Sequence, residues 1–422
     1  MTFSICMRAG LFSCMLTLTV LAPSVFSKTG SSYSDEDIHQ LADIVISALE
    51  INPEIQAAKA AMEATRARLA GAGLPLNNPE LELEAERTDI NTYTLGISQT
   101  VDWHDKKSAF EQVARAELTS AQVRVEALRL EKASELLDAL GRIATHNEIT
   151  TFSKHRTEIL ERFAKLAERR YTAGDIPQSE LELARLSLAE AVMQHAGNGS
   201  ELIQARSDFF SLSGQSLKSS IKFPDQLPTT LPSTQDEATL ARNHPQVQTA
   251  YQMAQVARQK IRASDQERKA DPRFGLTGGR EDQENLVALS FSIPLQVRNS
   301  FRSNVDATQA EALQAEQEAQ QAYLSVLARL KGAQERYKLV ARAWSLWLSQ
   351  GQPSLHQRIE LLEAQWQAGE MSTTDYLLQI QQTLDTQIAG VELHGNLWSA
   401  WVEWLSASGN LNKWLNETSE EQ

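Results

Sequence analysis

The chain has 422 residues and a formal net charge of -14 at pH 7. A surface that holds phosphates needs a basic cluster, and none is present, so nucleic acid is excluded as a partner. Pro and Gly are scarce beside Ala, Gln, Glu, Leu and Arg, a composition of long helices rather than of the two or three globular domains that the length would otherwise imply.

Residues 1–27 read as a signal peptide. Arg8 precedes an uncharged apolar run from Ala9 to Ala22, too short to span a membrane as a helix, and Val25 and Ser27 place cleavage after Ser27, with Ser24 as second choice. Cys6 and Cys14 are the only cysteines and both lie in this segment, so the mature chain is expected to hold no disulfide and no cysteine-bound metal. Leu11-Phe12-Ser13 is a poor processing site for a lipid-anchored Cys14. After residue 30 no stretch approaches the roughly 18 apolar residues of a membrane helix, which excludes helical membrane proteins but not β-barrels.

From residue 28 one unit is written twice. Asn52-Pro53 is answered by His244-Pro245, Pro79 by Pro272, Leu95-Gly96-Ile97-Ser98 by Leu289-Ser290-Phe291-Ser292, Tyr171-Thr172-Ala173-Gly174 by Trp366-Gln367-Ala368-Gly369, and Ser213-Gly214 by Ser408-Gly409. The interval drifts only from 192 to 195, the mark of a tandem duplication. The first repeat covers 28–214 with a helix, a β-hairpin at 79–101 and long helices over 104–213. A linker follows at 215–235, with Pro224, Pro228 and Pro232 spaced four apart. The second repeat covers 236–412, with a β-hairpin at 272–295 and long helices over 300–408; residues 413–422 read as a flexible tail.

In the first hairpin Glu80, Glu82, Glu84 and Glu86 alternate with Leu81, Leu83 and Ala85, and Tyr93, Leu95, Ile97 and Val101 oppose Thr94, Gly96, Ser98 and Thr100. Strict period two gives each strand one apolar face. The second hairpin repeats this with Val287, Leu289, Phe291 and Ile293 against Ala288, Ser290 and Ser292. A soluble sheet with one wet face and an outer-membrane wall both fit the alternation alone; strand length and Trp103, placed where an interfacial aromatic belt belongs, favour the wall. Four strands cannot close a barrel, so that reading demands an oligomer.

The long helices carry a coiled-coil-like stripe: Leu118, Ala121, Val125, Leu128, Ala133, Leu137, Leu140 and Ala144 in the first copy, Ala312 to Trp347 in the second. Gln350-Gly351-Gln352-Pro353 interrupts the second stripe without counterpart in the first, and predicts a kink or split. The eight histidines lack ligand spacing, and Trp398, Trp401 and Trp404 read as helix packing. No phosphate loop, nucleophile elbow or acid–base cluster is present, so neither an enzyme nor a cofactor or metal site is expected.

The duplicated turn, Tyr171-Thr172-Ala173-Gly174-Asp175 through Glu180-Leu181 and Trp366-Gln367-Ala368-Gly369-Glu370 through Asp375-Tyr376-Leu377-Leu378, resembles that of the TolC-type outer-membrane efflux proteins. The resemblance runs from about residue 38 to 412. Asn78-Pro79-Glu80-Leu81-Glu82-Leu83-Glu84, Ser98-Gln99-Thr100 with Lys106-Lys107, and Pro294-Leu295 with Arg298-Asn299 are most similar to the outer-membrane components of cobalt-zinc-cadmium efflux systems. The resemblance implies a mainly α chain with a small β part: a homotrimer whose four strands per chain close a twelve-stranded barrel in the Gram-negative outer membrane, in contact with its lipid, above an α-helical tunnel through the periplasm. It further implies a periplasmic adaptor (membrane fusion protein) and an inner-membrane pump of the resistance-nodulation-division class as partners.

If the apolar strand face meets lipid, Glu80, Glu82, Glu84 and Glu86 line the pore, where such rings favour cations; they equally fit the wet face of a wide, screened duct. Tyr171, Gly174, Asp175, Trp366, Gly369 and Glu370 fall at the tip that would dock the adaptor. Glu180 and Asp375 are candidates for a gate constriction, Asp375 standing where the family's aspartate ring begins; Leu378 stands where its second acid would be. Both acids also fit favourable charge at a helix start. A channel for drugs or secreted proteins, and a soluble periplasmic coiled-coil scaffold or adaptor, are the alternatives.

Overall fold

The computed structural model describes residues 35–420 other than 90, 218–223, 225–226 and 228–235. The expected signal peptide and most of the linker lie outside the described residues.

Each copy opens with two helices where one was expected: α1 (Asp35–Ile51) and α2 (Pro53–Ala72) in the first, α5 (Glu237–Asn243) and α6 (Pro245–Glu267) in the second. Proline at the first helical position has no N–H to lose, so the chain breaks in front of it and restarts. The residue before each proline caps the new helix. Asn52 Oδ1 accepts from the backbone N–H of Glu54 at 3.0 Å and of Ile55 at 3.2 Å; His244 Nδ1 accepts from that of Gln246 at 3.2 Å.

Strands β1 (Glu80–Arg87) and β2 (Asn91–Thr100) follow in the first copy, β3 (Arg273–Glu281) and β4 (Glu284–Ser292) in the second. They form one antiparallel sheet in the order β1-β2-β3-β4, the central pairing of β2 with β3 joining the two copies. The outer edges of β1 and β4 have no partner among the described residues.

Helix α3 (Lys106–Ala173) is unbroken over 68 residues, roughly 100 Å at 1.5 Å per residue, and returns as α4 (Gln178–Ser213). Its counterpart is split. Helix α7 (Arg302–Leu346) passes into a π-helical turn, Trp347–Gly351, before α8 (Gln352–Gln367), so the interruption predicted at Pro353 is a bulge placed just ahead of the proline. Helix α9 (Thr373–Ser408) returns, and α10 (Leu411–Glu420) follows. The flexible tail expected from 413 is therefore helical through 420; Leu411 and Leu415 are buried and hold it to the core.

The predicted stripe is the packing seam, with Val125, Ala133, Leu137, Leu140, Val326, Leu330, Ala333 and Tyr337 buried. One apolar cluster joins α1, α3, α7, α9 and α10, with Trp398, Trp401 and Trp404 inside it, and Leu227 of the linker is seated there too. A second, around Phe163, Trp366 and Tyr376, lies beside the two turns.

Candidate functional site

The sheet has two unlike faces. Cross-strand register aligns Leu81 with Ile97, Leu276 and Leu289, and Leu83 with Leu95, Gly278 and Val287. This face is solvent-exposed despite its composition: Leu83 is 77%, Val287 76% and Leu289 85% exposed. A continuous apolar sheet face left uncovered marks a surface that meets something apolar.

The opposite face aligns Glu80 with Ser98, Gly275 and Ser290, and Glu86 with Thr92, Glu281 and Glu284. The four predicted glutamates are thus on one face, but they are not equivalent. Arg273, on β3, donates from Nη2 to Glu80 Oε2 at 2.7 Å and to Glu82 Oε1, and from Nε to Ser98 Oγ at 3.1 Å. Ser98 Oγ also lies 2.9 Å from Glu82 Oε1. The guanidinium thereby ties two of the acids to the strand end nearest the helices, leaving Glu84 and Glu86 with Glu281 and Glu284 toward the hairpin turns. Sequence reading missed Arg273 because its partners Glu80 and Glu82 belong to the other copy and are brought beside it only by the pairing of β2 with β3, which no local pattern encodes.

At the other end of the chain the turns are built alike. Gly174 and Gly369 have φ of 83° and 75°, in the left-handed region that side chains with a Cβ resist. The N–H of Asp175 donates to Arg170 O at 2.9 Å and that of Glu370 to Gln365 O at 3.0 Å, closing the same helix-ending motif in both copies. Space around both glycines is open, so conformation and not close approach requires them.

Tyr171, Asp175 and Glu370 are exposed at these turns, whereas Trp366 is only 2% exposed. Its ring packs on Phe163 at 4.4 Å and Tyr376 at 5.2 Å, and the Arg170 guanidinium lies 4.6 Å above it. Trp366 therefore supports the tip from inside and offers no ring to a docking partner. Burial also pushes the Tyr376 hydroxyl up to about 12.

Asp375 and Glu180 both lie in the first turn of a helix, α9 and α4. Ser372 Oγ accepts from the Asp375 N–H at 3.1 Å and donates to its carboxylate at 2.7 Å, a reciprocal cap. The helix-start reading of Asp375 thus has a geometric basis. Leu378, one turn on, is 66% exposed. Among the described residues no group of three or more His, Cys, Asp or Glu is placed to hold a metal ion, and no helix is long and apolar enough to cross a membrane.

Residues 45–215 match the family model described as outer membrane efflux protein. Most of the chain superimposes on solved outer-membrane channels. The CmeC outer membrane channel of Campylobacter jejuni matches with a TM-score of 0.75 at 15% identity, over 98% of each chain. The outer-membrane channel OprN gives 0.75 at 16% identity, over 89% of this chain and 90% of that one. CusC, whose structures concern transmembrane channel formation, gives 0.74 at 14% identity, over 91% and 95%. The chain has the TolC-like outer-membrane channel fold. The long helices correspond to the helical tunnel of that fold and the four strands to its barrel. No curated protein matches the chain.

Proposed function

We propose that the chain is the outer-membrane channel of a tripartite efflux system, a passive exit duct loaded from an inner-membrane resistance-nodulation-division pump through a periplasmic adaptor. The observation that carries this reading is the open four-stranded sheet with a wholly exposed apolar face and two free edges. An isolated sheet of that kind would aggregate. Three copies joined edge to edge close a twelve-stranded barrel, leave no edge, and turn the leucines of the apolar strand face toward lipid. From Val101 to Tyr93 the apolar face runs about 27 Å along the strand before tilt, the scale of the apolar band of such barrels.

The helices also support assembly. On α4, Leu186, Met193, Ile203 and Phe210 are each more than half exposed and recur at helical spacing, a stripe suited to a neighbouring copy. The tips, with Tyr171, Gly174, Asp175, Gly369 and Glu370, face the adaptor in this arrangement. Energy enters at the pump, and the duct itself performs no chemistry.

For cargo, the polar strand face favours cations: six glutamates per chain stand against Arg273. Together with the likeness to cobalt-zinc-cadmium efflux components, this supports heavy-metal cations over drugs or secreted proteins. Outer-membrane fractionation tests the location, since a periplasmic scaffold would stay soluble. Tolerance of a deletion strain to cobalt, zinc, cadmium, copper and silver tests the cargo; unchanged tolerance to all five rejects metals.

A further inference from the structure

We propose that the corner between the sheet and α7 is a binding surface for the headgroup of an anionic glycerophospholipid in the periplasmic leaflet of the outer membrane. The proposal rests on the outer-membrane reading above and adds to it a lipid class and the residues that select it.

The apolar alternation of β4 does not stop where the strand ends. It continues through Ile293, Leu295 and Val297, of which Leu295 is 78% and Val297 85% exposed. Trp103, at the end of the other copy's hairpin, is 67% exposed, and Phe301 is 42% exposed. Tryptophan and phenylalanine at the rim of an apolar wall are placed for the interface between acyl chains and headgroups. Phe301 is also held in a left-handed conformation, φ 53°, where its N–H donates to Asn299 Oδ1 at 2.8 Å.

Charge distinguishes this rim from a plain aromatic belt. Arg298 directly follows the apolar run, and Arg302 occupies the first position of α7, where a helix dipole disfavours a cation. Three neighbouring cations are already matched: Lys106 pairs with Asp271 at 2.8 Å, and Arg268 and Lys269 pair with Asp265 at 2.8 and 3.4 Å. Arg298 and Arg302 have no ion-pair partner among the described residues; Asp306, one turn into α7, is exposed but does not pair with Arg302. Two free guanidinium groups beside exposed apolar side chains match a phosphate carried at the end of acyl chains, with the fork geometry that phosphate oxygens accept.

The test uses the full chain in detergent, offered equal amounts of phosphatidylglycerol and phosphatidylcholine, with retained lipids counted by native mass spectrometry. Wild type is expected to retain phosphatidylglycerol preferentially, by about fivefold for each arginine. Arg298→Ala with Arg302→Ala abolishes the preference, while Arg298→Lys with Arg302→Lys keeps part of it. Excess inorganic phosphate leaves the bound lipid in place. Equal retention of the two lipids by wild type, an unchanged preference in the alanine pair, or displacement by inorganic phosphate overturns the proposal. Insertion of the same samples into phosphatidylcholine vesicles separates the two levels: a chain that inserts without lipid preference loses only this surface, and one that never inserts loses the membrane reading as well.

Discussion

Arg156 Nη1 donates to Asp385 Oδ1 at 2.7 Å, tying the long helix α3 of the first copy to α9 of the second. Arg156 is 4% exposed and its Nε has no partner, so the carboxylate is its main compensation. Asp385→Ala is expected to lower stability by about 1–2 kcal/mol, less than a fully buried pair because Asp385 itself is well solvated. Adding Arg156→Met should recover most of that loss. A thermal-melt double-mutant cycle reads both; additive losses would show that the pair does not couple the helices.

His244 performs the task of Asn52 in the second copy with a group that titrates. Asn52 Nδ2 donates to Leu212 O at 3.0 Å, and His244 Nε2 meets Ser406 O at 3.0 Å, each clamping the start of one helix to the end of another. Burial, with the positive Arg329 nearby, holds the His244 pKa down at about 4 against an ordinary 6.5, despite the hydrogen bond to Ser406. The folded state therefore resists the proton that the unfolded state accepts. Stability is complete above pH 6.5 and falls as pH drops toward 4, by roughly 3 kcal/mol in total. His244→Asn should flatten this part of the profile, measured as the difference in melting temperature between the two proteins. Parallel profiles would assign the acid loss to carboxylates instead.

The tip glycines differ from the one that seats Trp347. Gly174→Val or Gly369→Val forces a β-branched residue to positive φ at a cost of about 1–2 kcal/mol or more, and Gly174→Asn should be tolerated better. Co-purification with the adaptor is the readout. Full recovery of the complex with Gly174→Val would remove the turn from the docking tip.

At Gly390 the obstacle is steric, since an added Cβ would run into the Trp347 indole of the π-helical turn. Gly390→Ala is expected to destabilise by about 1–3 kcal/mol, with Trp347→Leu relieving it. Failure of that rescue would mean the ring is free to move aside.

Arg273 sets the charge of the strand face. Arg273→Ala removes the cation bridging Glu80 and Glu82 and should raise the ratio of cation to anion permeability in single-channel recordings. An unchanged reversal potential would mean that the duct is wide enough to screen its wall charges.

What could be read in advance was whatever repeats locally. Period two put Leu81 and Glu82 on opposite faces, the helical stripe marked Leu137 and Tyr337 as core, and the recurring glycine turns gave the two copies. The breaks at Pro53 and Pro245 are also legible, from a capping residue before a proline at a helix start. What could not be read depends on contacts between copies. Nothing near Trp366 in sequence announces that Phe163 and Arg170 enclose it, and nothing near Arg273 announces Glu80. The helix at 411–420 was missed because its anchors, Leu411 and Leu415, are few in a polar segment.

Cryo-electron microscopy of the full chain in lipid nanodiscs tests the central claim most directly. Closure of three sheets into one barrel predicts a threefold particle with the disc around the strands and the helices projecting to one side. Monomers lying outside the disc would contradict it.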